Sequence, residues 1–289
     1  MDEITAALLR ALSFGTPLLL ACLGAIINER AGVVNLGVEG MMILGALTGF
    51  AIAYGDGTGG SLYVAVLAAA AVGAISSLLH AFVVIFLRAN QFVSGLALTM
   101  LGLGVAGLLG KRFEGMPLFN QAPELPFTIA AVLLALVLGF VFSSTSLGLT
   151  LRSVGENPAA ADVLGINVTL VRFVAVLCGG ALCGVAGAFL SIASRPNWTD
   201  GMTVGAGWIA VALVIFVGWN PLRAIFGAFF FGLLYYLQFA LQGKIPIPSE
   251  FFAAMPYTLV VVVLALSSRR KSGGDAPEGL GKPYIRGER

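Results

Sequence analysis

Charged side chains are scarce in this sequence, which excludes most soluble folds. Only 10% of the 289 residues are Asp, Glu, Lys or Arg, whereas soluble domains carry about 25%. Hydrophobic residues make up 58% of the chain, and the mean hydropathy is +0.98. The net charge of +2 comes without a basic stripe that could follow phosphates, so nucleic acid is not an expected partner. We therefore expect an integral membrane protein.

Signals for catalysis and metal binding are also missing. The one histidine, His80, cannot alone build a zinc site or a Ser-His-Asp arrangement. A packing or hydrogen-bonding role is favoured over a proton relay. No G-x-x-x-x-G-K-[ST] loop for nucleotide phosphates occurs. We expect no enzymatic activity, no metal site and no cofactor on this chain.

Two glycine patterns are better explained by helix packing than by ligand binding. Gly102, Gly104 and Gly107 form a G-x-G-x-x-G, but inside an apolar stretch rather than between a strand and a helix. Gly180 and Gly184 have the spacing that lets membrane helices approach closely. Neither pattern predicts a nucleotide site.

Apolar stretches of the length that a bilayer requires, about 20 residues, predict an all-α, polytopic bundle. We expect about nine spans, within a range of eight to ten. The predicted spans are Ala11–Ile27, Ala31–Tyr54, Ser61–Leu87, Gln91–Gly110, Leu125–Phe142, Val168–Ser194, Val204–Trp219, Leu222–Leu241 and Ala253–Ser267.

The distribution of Lys and Arg predicts the orientation. When Arg269–Lys271 is placed in the cytoplasm, eleven of the 16 basic residues lie inside and five outside. The N-terminus is then outside and the C-terminus inside. Residues 1–271 form a single transmembrane domain. Residues 272–289 form a polar, Gly/Pro-rich cytoplasmic tail that we interpret as a surface tail.

The longest polar break between spans, Ser143–Asn167, predicts a short helix on the cytoplasmic face. Asn157 suits the N-cap, Pro158 the first helical position and Gly165 the C-terminal stop. The expected helix has about seven residues. Such a helix either docks into a groove on a soluble partner, which we favour, or simply lies at the membrane interface.

The segment LRSVGENPAAADVLGINV resembles the coupling-helix region of ABC importer permeases of the branched-chain amino acid and ribose type. NERAGVVNLGVEGMM, NQFVSGLAL, PNWTDGMTVGAGWIAVALVIFVGWNP and LGKPYIRGER resemble the branch that pairs with basic-membrane-protein-type lipoproteins. The resemblance implies a membrane permease subunit with three protein partners: a separate ATPase that carries ATP and Mg, a related but non-identical second permease, and an extracytoplasmic binding lipoprotein.

The resemblance also assigns a role to residues 147–165, which stand where the family's coupling segment meets the ATPase. The residues expected to couple this chain to ATP hydrolysis are Arg152, Gly155, Glu156, Asn157, Pro158, Asp162 and Gly165.

Polar residues inside the predicted spans are candidates for the substrate pathway. Asn35 and Glu39 are four residues apart, so on one helix they would share a face, with Glu39 near the bilayer midplane. An acidic residue there must face protein or water. A structural hydrogen-bond network and a route for polar solutes both fit. The full set of pathway candidates is Asn35, Glu39, Gln91, Ser94, Thr99 and Trp208.

The resemblance implies an ATP-driven importer for nucleosides in a bacterial or archaeal cytoplasmic membrane. A simple sugar such as ribose and a branched-chain amino acid are the alternatives within the family. A secondary transporter driven by an ion gradient is the alternative of another class. Such a carrier would more often show ionisable pairs in its spans, whereas Glu39 is nearly alone.

Overall fold

The chain folds into a bundle of helices in the computed structural model, which describes residues 3–203, 205–242, 251, 254–255, 257–262, 265 and 276–286. No strand occurs among these residues, apart from isolated bridges that pair residues 114 and 117 with residues 198 and 197. The helices are α1 (Glu3–Arg30), α2 (Val38–Tyr54), α3 (Leu62–Ala81), α4 (Gln91–Gly110), α5 (Glu124–Ser144), α6 (Ser146–Glu156), α7 (Pro158–Val163), α8 (Val168–Phe189), α9 (Ala206–Phe216) and α10 (Pro221–Leu241). Single π-helical turns extend α3 to Phe86 and α8 to Ser194.

Seven of the described helices are long and apolar enough to cross a membrane. They correspond to seven of the nine predicted spans. The predicted span Val204–Trp219 contains only the short helix α9, of 11 residues. Of the 15 residues of the predicted span Ala253–Ser267, nine are described and helical, and the other six lie outside the described residues. The second predicted span begins seven residues too early, since α2 starts at Val38 rather than Ala31.

Helices α1, α2 and α8 form the interior of the bundle. In their most apolar stretches, 83%, 67% and 61% of the residues are buried, compared with 28% in α3, α4, α5 and α10. Helix α8 packs against α1, α2 and α3, and α1 also packs along α10. The outer helices expose large apolar side chains such as Leu67, Met100 and Phe226, as expected of a surface that faces lipid.

Glycines let the inner helices approach until their backbones touch. A Cβ atom added at Gly184 of α8 would clash with the carbonyl oxygen of Ala69 in α3, and one at Gly45 of α2 would clash with Gly184. Gly102 of α4 lies against Gly40 of α2 in the same way. These contacts confirm helix packing for the Gly180/Gly184 pair and for Gly102.

The segment between Trp198 and Asn220 runs from one end of the bundle to the other, half as loop and half as helix. At its start Trp198 pairs with Glu114, just beyond α4. At its finish the Trp219 indole donates a hydrogen bond to Glu29, at the C-terminal end of α1. Irregular backbone inside a membrane is tolerated only where protein groups satisfy it. The site described below provides those groups.

The packing predicts that Gly184→Ala destabilises the protein although alanine favours helices. A methyl group at position 184 meets the backbone of α3, and such overpacking costs about 1–3 kcal/mol. We expect a lower melting temperature for the purified, detergent-solubilised protein.

Gly104→Ala is the matched control, because a Cβ atom at Gly104 meets no atom within 4 Å. A fall in melting temperature of equal size in both variants would contradict the close α3–α8 contact.

Candidate functional site

The chain between α1 and α2, residues 31–37, is not helical although it lies inside the bundle. Ala31, Val33, Val34 and Asn35 are buried, and regular helix resumes only at Val38. Buried backbone N–H and C=O groups without partners are costly in apolar surroundings. This segment therefore depends on hydrogen bonds from other parts of the chain.

Side chains of α3 and α4 provide those hydrogen bonds. The Val34 N–H donates to Oε1 of Gln91 at 2.7 Å. The Val34 carbonyl accepts from Nε2 of His80 at 3.0 Å, and the Leu36 carbonyl accepts from the Thr99 hydroxyl at 2.9 Å. His80, Gln91 and Thr99 are each at most 3% exposed. They hold the irregular backbone from one side.

Ser94 belongs to the same network through His80. Its hydroxyl lies 3.0 Å from Nδ1 of the imidazole. Because the Val34 carbonyl can only accept, Nε2 carries a proton, and in a neutral ring Nδ1 then accepts from the Ser94 hydroxyl. The expectation of a hydrogen-bonding role for His80 is confirmed.

Asn35 shapes the approach to α2. Its Oδ1 accepts from the Gly37 N–H at 2.8 Å, the local two-residue bond by which Asn replaces a backbone turn. Its Nδ2 is 3.9 Å from the sulfur of Met41, which is at most a weak acceptor. The side chain is 3% exposed. Asn35 therefore sets the geometry from which α2 starts.

The carboxylate of Glu39 receives three hydrogen bonds from the loop and helix start at residues 203–207. Oε1 accepts from the Thr203 hydroxyl at 2.5 Å and from the Gly205 N–H at 2.9 Å. Oε2 accepts from the Gly207 N–H at 2.7 Å. Gly205 is the N-cap of α9, so Glu39 places an acidic group where the N–H groups of a helix are unsatisfied and its dipole favours negative charge.

The structure thus brings five of the six pathway candidates together around residues 34–39. The prediction that Asn35 and Glu39 share one helix face is wrong, because residues 31–37 are not helical. The placement of Glu39 near the bilayer midplane assumed a continuous helix from Arg30, so it loses its basis and stays a prediction. Trp208 makes no hydrogen bond with this network and is 37% exposed. The polar groups of the network bond to protein, and a route along them stays a prediction.

A second set of contacts, which the sequence-based site prediction missed, holds the other end of α9. The Trp219 indole N–H donates to Oε2 of Glu29 at 2.6 Å. The Arg30 guanidinium donates to the carbonyls of Trp219 and Gly218 at 3.1 and 3.4 Å. In the sequence, these contacts are indicated only by Glu29 and Arg30, the two charged residues that follow the first apolar stretch. Helix α9 is therefore anchored at both ends by residues 29–39.

The loop between α5 and α8 contains the expected capped helix. Helix α7 has six residues rather than about seven, and its first residue is Pro158. Asn157 accepts at Oδ1 from the Ala160 N–H at 2.9 Å, and Gly165 has a φ of +85° just beyond the helix. The N-cap, the first-turn proline and the terminating glycine are all found as predicted.

The candidate coupling residues occupy different positions around α7. Gly155 is buried against the backbone of Arg30, where an added Cβ would clash, so it positions the segment rather than offering a surface. Glu156 is exposed. Arg152 lines an open groove of about 560 Å³ together with Arg30, Glu156 and Asn157. No group of three metal-ligating side chains occurs within the described part of the chain.

The bonding predicts that Glu39→Gln destabilises the protein. A glutamine amide replaces one acceptor oxygen by a donor that faces donors, which leaves a buried group unpaired at a cost of about 1–3 kcal/mol. We expect a lower melting temperature for the purified protein in detergent. Glu114→Gln is the control, because Glu114 is exposed. Equal melting temperatures for Glu39→Gln and the parent chain would refute the capping role.

Comparison with known proteins identifies the family of this chain. Residues 7–264 match the family model described as the permease component of the branched-chain amino acid transport system. The chain is 35% identical to the guanosine ABC transporter permease protein NupQ of Bacillus subtilis, over 96% of each chain. It is 34% identical to the nucleoside ABC transporter permease protein NupC of Lactococcus lactis subsp. cremoris, over 95% of each.

A third relative is named for another solute. TsgC13 of Haloferax volcanii, provisionally named a glucose ABC transporter permease protein, is 41% identical over 79% of this chain and 75% of its own. No solved structure matches the chain.

Proposed function

The chain belongs to the family of permease components of branched-chain amino acid transport systems, and within that family we propose that it forms the membrane pathway of an ATP-driven importer for nucleosides. The observation that carries this proposal is the similarity to the guanosine and nucleoside permeases. It extends over nearly the full length of this chain and of each relative. The buried polar network agrees with a permease, because discontinuous helices in transporters typically form the substrate site.

We propose that energy comes from a separate ATPase subunit that docks on α7. Val163 and Leu164, at the C-terminal end of α7, are 87% and 79% exposed, and they belong to the polar break between spans rather than to a span. Exposed apolar side chains on a short, capped helix suit insertion into a groove of a partner. ATP and Mg would be bound by that partner.

We propose that the end of the bundle that carries α7 faces the cytoplasm of a bacterial or archaeal cell. Arg30, Arg152, α7 and the described C-terminal residues lie at this one end. The excess of Lys and Arg on this side follows the positive-inside tendency. The opposite end, with Lys111, Arg195 and the bridged loops, then faces the extracytoplasmic binding lipoprotein.

The proposed pathway runs beside α9 and is completed by a second, related permease. Trp208, Ile215 and Phe216 leave an exposed apolar face on α9, while both ends of the helix are hydrogen-bonded to residues 29–39. A helix held in this way moves with its anchors. Its displacement would open or close the route for solute.

A simple sugar is the second candidate solute. TsgC13, the relative provisionally named for glucose, has the higher identity of 41%, although over less of the chain. A nucleoside contains a sugar, so a pathway that passes nucleosides can share features with one that passes sugars. Competition between solutes separates the two.

The substrate class is tested by uptake of labelled guanosine into cells that carry the complete transporter. We expect unlabelled adenosine and uridine to compete and glucose, ribose and leucine to have no effect, with uptake abolished by ATP depletion. Competition by glucose or ribose alone would favour the sugar alternative, and competition by leucine alone the amino acid alternative. Uptake that survives ATP depletion but collapses with the ion gradient would indicate a secondary transporter.

Docking of the ATPase is tested by Val163→Glu. The substitution puts a charge on an exposed position of α7, so folding is unaffected, but burying that charge in an interface is costly. We expect recovery of the ATPase with the tagged permease to fall by about tenfold, a change of about 1.4 kcal/mol. Phe119→Glu, on the loop at the opposite end and 73% exposed, is the matched control. Undiminished recovery with Val163→Glu would rule out docking through α7.

A further inference from the structure

The C-terminal residues 277–286, which we call the C-terminal strap, do not lie free at the surface. Composition predicts a solvated tail, but Pro277 and Gly279 are buried and Leu280, Tyr284 and Ile285 are partly buried. These residues of the predicted surface tail are therefore packed on the bundle, with Glu278, Lys282, Pro283 and Arg286 exposed. Their contacts involve three separate elements at the same end of the bundle.

The first contact is with the junction between α6 and α7. The Gly279 N–H donates to the carbonyl of Gly155 at 2.9 Å, and the Glu278 N–H donates to Oε2 of Glu156 at 3.2 Å. A Cβ atom added at Gly279 would lie 2.6 Å from the Gly155 oxygen. The strap can approach the junction this closely only because residue 279 is glycine.

The second contact is with the non-helical segment between α1 and α2. The Gly281 N–H donates to the Gly32 carbonyl at 3.2 Å. Arg172 of α8, only 3% exposed, donates through Nη1 to the Lys282 carbonyl and through Nε to the Ala31 carbonyl, both at 3.1 Å. One buried guanidinium therefore joins the strap, α8 and the start of the non-helical segment.

Apolar side chains fix the strap between these contacts. Leu280 packs against the main core of the bundle. Tyr284 packs on Val154, Ala161 and Val168, which belong to α6, α7 and α8. The ion pair between Arg286 and Asp162 is 3.1 Å long, with the Arg286 side chain 82% exposed, so it contributes little. Backbone bonds, Arg172 and the two apolar anchors hold the strap in place.

We propose that the C-terminal strap is the tie through which displacement of the α6–α7 segment reaches residues 31–39 and, through them, α9. This inference rests on the proposed function, because it is an ATPase docked on α7 that would move the segment. The strap bonds to Gly155 at one point and to Gly32 two residues later, so these two sites move together.

The strap is needed because packing contacts alone transmit a push of α6–α7 toward α1 but not a pull away from it. Gly155 already touches the backbone of Arg30 and Gly32, and this contact transmits a push of α6–α7 toward α1. When α6–α7 moves away, van der Waals contact offers almost no resistance. Hydrogen bonds on both sides of a continuous chain, together with Arg172, do resist separation. The strap thus makes the link work in both directions.

The proposal is tested in the complete transporter with two lesions and two matched controls. The lesions are deletion of residues 276–289, and Gly279→Val, which leaves the chain at full length but places a side chain against Gly155. The controls are deletion of residues 287–289, and Lys282→Ala, which removes an exposed side chain but keeps the carbonyl that Arg172 binds.

The first measurement compares guanosine uptake with recovery of the ATPase on the tagged permease. We expect both lesions to lower uptake by at least about fivefold, the lower range of coupling effects, with ATPase recovery and ATP hydrolysis unchanged. Both controls should behave as the parent transporter. Normal uptake in both lesions would overturn the proposal, and so would loss of the ATPase from both, since the strap would then serve docking.

The second measurement does not depend on the solute. A cysteine replaces the partly buried Leu36 in a chain where the exposed Cys178 is serine, and its rate of labelling by a maleimide is compared before and after trapping with ATP and vanadate. We expect trapping to change the rate by at least about fivefold with the strap present and to leave it unchanged after either lesion. A change that persists in the lesions, or its absence in the parent, would overturn the proposal.

The two measurements separate this inference from the proposed function. A parent transporter that takes up no guanosine, but whose Leu36→Cys labelling responds to trapping only when the strap is present, would refute the nucleoside assignment and support the tie. Guanosine uptake that is the same with and without the strap would leave the nucleoside assignment standing and refute the tie.

Discussion

The structure depends on one constraint: irregular backbone inside an apolar bundle must find its hydrogen bonds within the protein. Residues 31–37 break the helical course of the chain between two interior helices. Their N–H and C=O groups bond to His80, Gln91 and Thr99. Glu39 likewise accepts hydrogen bonds from the N–H groups at the start of α9. Several of the buried polar residues in this hydrophobic sequence therefore serve non-helical backbone or the end of a helix.

This constraint also explains why α9 can be so short. A helix of 11 residues is marginal on its own in water, and inside a membrane its ends leave N–H and C=O groups unsatisfied. Glu39 meets the need at the N-terminal end. Arg30 donates to carbonyls just beyond the C-terminal end. Both charges have the sign that the helix dipole favours, and both come from the same stretch of chain.

The features that sequence predicted well are local. Helix α4 begins at Gln91 and α8 at Val168, as expected, and α7 has its predicted N-cap and stop, because these signals lie within a few residues. The predicted span Ala31–Tyr54 runs through the break at residues 31–37, because the hydrogen-bond partners of this segment lie 46 to 63 residues away along the chain. The strap was missed because its composition is typical of solvated tails and its bonds are largely made by backbone atoms, which composition does not reveal.

The same bonding limits how a pathway can open. Separating Glu39 from Thr203 and Gly207 would leave a buried carboxylate and helical N–H groups without partners, and breaking a buried charged network in this way costs about 3–5 kcal/mol. Moving α9 and Thr203 together with residues 29–39 keeps these bonds, and it also keeps the bonds of Val34 and Leu36 if His80, Gln91 and Thr99 move with them. A rigid displacement of this unit is therefore the less costly motion. The α6–α7 segment and the strap both contact this unit at Arg30 and Gly32, so a displacement of α6–α7 would reach the unit at this end.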